Sequence, residues 1–134
     1  MKMSIDIELQ GALLLVTANG TADAHSASRL LRQMCDAAAD KGVDKILVDC
    51  LALTGELAAF ERYRLGAETA ECFTERLKNV RLAYVGKPQI TDGFGVRVAR
   101  NRGVITRLFS TQQEALKWLD ECPDIPAEDP IPDD

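Results

Sequence analysis

The residues of this chain that could do chemistry fall where strands are expected to end: His25, Asp49, Cys50, Thr54, Lys87 and Ser110. A histidine beside an acid and a hydroxyl or thiol could form a nucleophile with its base. Six polar residues in loops are also what any fold of parallel strands displays, and no sequence motif assembles these into a catalytic set. The four cysteines, Cys35, Cys50, Cys72 and Cys122, are 15, 22 and 50 residues apart, and there is one histidine. Those spacings do not suit zinc, and no metal or cofactor is expected. Cys35 and Cys72 read as packing residues of helices, and Cys50, at a strand end, is the one thiol to test for reactivity.

Two further stretches could hold an anion or a phosphate. Gly93-Phe94-Gly95 precedes Arg97, Arg100 and Arg102, and backbone N–H groups at a helix start can bind an anion. The spacing is not that of a dinucleotide-binding loop, so a tight turn entering a short helix explains the glycines equally. Thr54-Gly55-Glu56-Leu57 stands before a helix. There Thr54 reads either as an N-cap or as a phosphorylation site favoured by the helix dipole.

The elements that must position these residues follow from periodicity. Ser4–Leu9 alternates apolar and polar residues, and Ala12–Ala18 is a continuous apolar run, so a hairpin is predicted. Ala27, Leu30, Leu31, Met34 and Ala38 recur at helical spacing after Thr21 or Asp23 as cap, and Gly42 ends that helix. Strand Lys45–Cys50, loop Leu51–Glu56 and a helix over 57–77 with a stripe of Phe60, Tyr63, Ala67, Ala70 and Phe73 come next. Strand Val80–Val85, helix Phe94–Asn101 and strand Val104–Phe109 precede a last helix. That helix opens at Ser110 with Gln113 as capping box, and Ala115, Leu116 and Leu119 face inward. The order β-β-α-β-α-β-α-β-α predicts an α/β fold, with a mixed, mostly parallel sheet of about five strands and about four helices.

Charge and length exclude several classes. Of the 21 acids, six lie from Glu121 onward, where there is no Lys or Arg; the remaining 15 balance 16 basic residues. A balanced body offers no basic footprint for nucleic acid or an anionic membrane surface. The longest apolar run, Ala12–Val16, is far shorter than the ~20 residues of a membrane span. No export signal is visible at the start of the chain, so a cytoplasmic location with four reduced thiols is expected. Four of the five prolines lie among the acids of the last 13 residues. The expected division is a domain over 1–121 and a disordered acidic tail over 122–134.

A family resemblance enters through Gly20-x-x-Asp23-x-x-x-Ala27-x-x-Leu30, followed by the strand Lys45-Ile46-Leu47-Val48-Asp49. This resembles the opening of the first helix of STAS domains, the anti-sigma-factor antagonists typified by SpoIIAA and the cytoplasmic tails of sulfate transporters. Leu82–Gly86, Leu108-Phe109 and Ala115–Leu119 look like the SpoIIAA-like branch, often labelled STAS/SEC14-like. The resemblance covers about residues 1–120. It implies a noncatalytic regulatory or binding module recognising a protein partner or a small apolar ligand. In regulatory members a serine before the second helix is phosphorylated. Here the aspartate and serine pair are missing, and only Thr54 could carry the phosphate.

The expected working surface is therefore the rim holding Asp23, His25, Asp49, Thr54, Gly55, Lys87 and Phe94. Both faces of the apolar strands Leu13–Val16 and Ile46–Val48 require cover. Either one helix crosses to the second face, or a homodimer supplies the cover.

Overall fold

Strand and helix alternate along the computed structural model, which describes residues 3–55, 57–77, 79–86 and 94–121. The order is β1 (Ser4–Gln10), β2 (Leu13–Thr21), α1 (Ala24–Lys41), β3 (Lys45–Thr54), α2 (Ala59–Arg76), β4 (Arg81–Val85), α3 (Phe94–Asn101), β5 (Ile105–Phe109) and α4 (Gln112–Glu121). The strands form one sheet in the order β1-β2-β3-β4-β5. β1 runs antiparallel to β2, and every other pair is parallel. The anticipated mixed, mostly parallel α/β sheet is the one observed. The tail over 122–134 lies outside the described residues.

Side-chain alternation divides the core in two. Leu14, Val16, Ile46, Val48 and Leu82 point to one face, where they pack with Leu30, Leu31 and Met34 of α1, Ala70 and Phe73 of α2 and Ala99 of α3. Leu47, Ala83 and Val85 point to the other face, where Ala115 and Leu119 of α4 cover them. Of the two ways to cover the second face, a helix crossing over is what occurs. α4 covers β3, β4 and β5, and the outer part of that face keeps Leu13 and Leu15 half-buried.

Helix ends follow local chemistry. Asp23 is the N-cap of α1, with its carboxylate accepting from the Ser26 N–H at 2.8 Å. Gly42 closes that helix with φ 66°, a left-handed conformation that glycine adopts without a Cβ clash. α4 opens one residue later than its sequence suggests. The Thr111 hydroxyl accepts from the Glu114 N–H at 3.2 Å, so the cap is Thr111 with Glu114, and Ser110 with Gln113 is corrected. Leu116 is likewise 37% exposed, because α4 meets the sheet through Ala115 and Leu119, with Trp118 beside them.

Three expectations about β3, α2 and the cysteines are also corrected. β3 does not stop at Cys50 but continues to Thr54, paired only with β2 beyond Asp49. The stripe of α2 holds only in its later part: Ala70 and Phe73 are buried as expected, beside Gly66 and Thr69, while Phe60 and Tyr63 are 68% and 45% exposed. Cys35 and Cys72 are not free thiols but a disulfide joining α1 to α2, with their Cα atoms 6.7 Å apart. These two helices run side by side in the same direction. Ser28 donates to Glu68 at 2.7 Å above the bridge, and Arg76 donates to Asp36 at 2.8 Å below it.

Candidate functional site

At the carboxyl end of the sheet, the β2–α1 and β3–α2 connections are fastened to each other. The Ala22 N–H donates to the Thr54 carbonyl at 2.9 Å, and the Thr54 hydroxyl donates to the Gly20 carbonyl at 3.2 Å. Thr54 is thus the last residue of β3, and the N-cap of α2 is Ala58. The capping reading of Thr54 is corrected accordingly. The Ala58 N–H is satisfied instead by the Glu61 carboxylate at 2.8 Å, and Arg62 donates to the Leu57 carbonyl. Gly55 turns the chain with φ 80°, and a Cβ there would sit 3.2 Å from Thr21 Cγ2. Only glycine makes this turn without strain.

The rim collects some of the anticipated residues and separates others. Asp23, Thr54 and Gly55 belong to the two fastened connections, and His25 lies exposed in the first turn of α1. The Ser26 hydrogen bonds hold the Asp23 carboxyl below its usual range, with smaller help from His25 and Arg29. Lys87 lies outside the described residues. Phe94 begins α3, but its side chain also lies outside them.

Asp49 turns away from these two connections, because strand alternation from Leu47 sends it to the second face, and a bulge follows it. The β2–β3 register passes from Thr17↔Asp49 to Asn19↔Ala52, two steps on β2 against three on β3. An extra residue in one strand leaves a backbone group without its ladder partner. Asp49 Oδ1 accepts from the Leu51 N–H at 3.0 Å within this irregularity, and Oδ2 accepts from Gln112 of α4 at 3.1 Å. Asp49 therefore ties α4 to the second face, while Cys50 points into the first.

The same bulge turns Leu53 back to the face occupied by Val48 and Cys50, since one extra residue reverses the alternation. Beneath the rim, these three side chains floor a part-open cavity of about 110 Å³. Ala27, Leu30 and Leu31 of α1 form one wall, Leu65 and Thr69 of α2 the other. Ala22 and Leu57 lie under the fastened loops, and Tyr84 of β4 and Met3 complete the lining. Burial, helped by the Asp49 charge, pushes the Cys50 thiol up to about 12. A thiol so held stays protonated and is a poor nucleophile near neutral pH. Burial likewise raises Tyr84 well above the usual phenol range, with a smaller contribution from Cys50.

Sequence reasoning missed this cavity and the exposed Phe60. A signal was present for both: Thr69 stands among the apolar residues of α2 and Tyr84 in an apolar strand, while Phe60 stands six residues before the first that α2 buries. Among the described residues no cluster of His, Cys, Asp and Glu could hold a metal, and no helix is long and apolar enough to cross a membrane.

Comparison with solved structures places this architecture. An anti-sigma factor antagonist from Mycobacterium paratuberculosis superposes with a TM-score of 0.65 at 15% identity, over 90% of this chain and 96% of that one. A protein with a SpoIIAA-like fold from Shewanella loihica PV-4 superposes at 0.51 with 22% identity, over 87% of this chain and 93% of that one. The chain has a SpoIIAA-like fold. No family model matches the sequence, and no curated protein matches it. In this fold the C-terminal ends of β2 and β3 and the N-terminal ends of α1 and α2 make one continuous edge. The cavity sits directly under that edge.

Proposed function

We propose that the chain is a noncatalytic regulatory module that recognises a protein partner through the rim of the β2–α1 and β3–α2 connections. The observation that carries this reading is Phe60, a large apolar side chain 68% exposed in the first turn of α2, immediately after the fastened loops. Large aromatic side chains are recurrent anchors of protein interfaces. An anti-sigma factor antagonist of the same fold supports a protein as the partner. A noncatalytic role is supported by the inert Cys50 and by Asp49 being occupied with the bulge and α4. Asp23, His25, Thr54 and Gly55 would frame the surface, and Lys87 and Phe94 are proposed to extend it. The test is a pull-down with the tagged chain and with Phe60→Glu. A partner retained by the first and lost by the second supports the reading; identical recovery by both refutes it.

A second reading is a small apolar ligand in the cavity beneath the rim, favoured by its hydrocarbon walls. Control of the rim by phosphorylation of Thr54 is a further proposal, supported by the exposure of that side chain. A homodimer would bury the half-covered Leu13 and Leu15. The proposed location remains the cytoplasm, where a bridge such as Cys35–Cys72 is ordinarily reduced. There the α1–α2 pair would rest as two thiols, held by the flanking Ser28–Glu68 and Asp36–Arg76 contacts.

A further inference from the structure

Well-packed interiors hold few voids larger than one water, and a water needs only ~10–15 Å³ of such space. The cavity between α1, α2 and the sheet, at about 110 Å³, is several times that size. It approaches the roughly 150 Å³ of an engineered apolar cavity that takes up benzene. A phospholipid or a long acyl chain is too large for it, and a single ring is of the right order.

The polar groups that line it narrow the chemistry. The Thr69 hydroxyl donates to the Leu65 carbonyl at 2.7 Å, and the Tyr84 side chain of β4 lines the same cavity. With its own proton committed to Leu65, the Thr69 oxygen is left to accept. The Tyr84 hydroxyl can both donate and accept. Burial raises both Cys50 and Tyr84, so the site disfavours negative charge. A carboxylate or phosphate would meet the same desolvation penalty, with no cation among the described lining residues.

We infer that the cavity binds a compact neutral alcohol or phenol, about one ring in size, whose hydroxyl hydrogen-bonds with that of Tyr84. This rests on the second reading above and names the ligand class. The ring lies against Leu30, Leu31, Val48 and Leu65. Its roof is Ala22 and Leu57, the residues that flank the fastened loops, so an occupied cavity braces the rim from beneath.

Methyl-resolved NMR titration of the full chain with phenol, toluene and benzoate tests the inference. Phenol and toluene should give saturable shifts at Leu30, Val48 and Leu53, with phenol about threefold or more tighter, as one added hydrogen bond allows. Benzoate should give none. Tyr84→Phe should bring phenol to the affinity of toluene. Ala27→Leu, which fills the space, should abolish both titrations while the circular dichroism spectrum stays native. If none of the three compounds shifts these methyls, the apolar-ligand reading and the inference both fall. If toluene binds as tightly as phenol, or benzoate binds as well, the hydroxyl assignment alone is overturned and a plain apolar site remains. The comparison of phenol with toluene is made on the unmodified chain, so it stands even if Tyr84→Phe does not fold.

Discussion

The Thr54 hydroxyl donates to the Gly20 carbonyl at 3.2 Å, which makes the side chain proposed for modification also a clasp between two loops. Replacing Thr54 by Val removes this bond at an exposed site, and stability should fall by about 1 kcal/mol or less. Thr54→Glu and phosphorylation should both release the Gly20 connection, visible as faster amide exchange at Ala22. Gly55→Ala should be costlier than Thr54→Val, by ~1 kcal/mol or more, because φ 80° and the approach to Thr21 both oppose a Cβ. Urea melts of the three variants check the order.

Asp23→Ala should lower the melting temperature, since it leaves the Ser26 N–H at the start of α1 without its acceptor. The cap also predicts a pH dependence. The folded carboxyl titrates below its ordinary value of 3.8, so the stability it contributes is complete above that value and disappears as pH falls through the depressed one. Melting curves of the parent protein should therefore converge on those of Asp23→Ala at low pH.

Reducing the Cys35–Cys72 bridge should destabilise the domain by about 2–4 kcal/mol, given a closed loop of 37 residues. Cys72→Ser should melt at the same temperature with and without a dithiol reductant, while the parent should shift. Equal melts for the oxidised and reduced parent would show that the flanking contacts alone hold α1 against α2.

Alkaline pH should act through the buried groups on the first face of the sheet. The Cys50 thiol ordinarily titrates at 9.0 and is held at about 12 in the fold. Unfolded chains ionise it first, so its contribution is whole below about pH 9 and is lost as pH rises toward the folded value. Tyr84, raised by burial, adds in the same direction. Urea midpoints should fall between about pH 9 and pH 11, less steeply in Cys50→Ala. Iodoacetamide should leave Cys50 unmodified until the chain unfolds.

Much of the architecture was legible from residue spacing. The α1 stripe of Leu30, Leu31, Met34 and Ala38 is buried as its period requires, and Gly42 ends the helix. The site was legible only in part. Asp49 and Cys50 were expected together at a strand end, because nothing in Asp49-Cys50-Leu51-Ala52 announces a bulge or the four further strand residues. The bulge depends on pairing with β2, and pairing is a tertiary fact. Phe60 and Tyr63 fit the helical period of α2 but not its position, since the first turn lies where no buried neighbour meets that stripe. The disulfide was hidden for a similar reason: Cys35 and Cys72 meet only because α1 and α2 align in parallel, with Ser28 opposite Glu68 and Asp36 opposite Arg76.

The crossing of α4 to the second face has a consequence for synthesis. Leu47, Ala83 and Val85 wait for Ala115 and Leu119 to arrive. While the chain is still emerging from the ribosome, the three-helix side can assemble, but one sheet surface stays bare until the last helix is released. Nascent chains expose hydrophobic surface in this way and become clients of chaperones. Chains stalled before residue 112 should therefore be held by such factors, and chains released from the ribosome should be free of them.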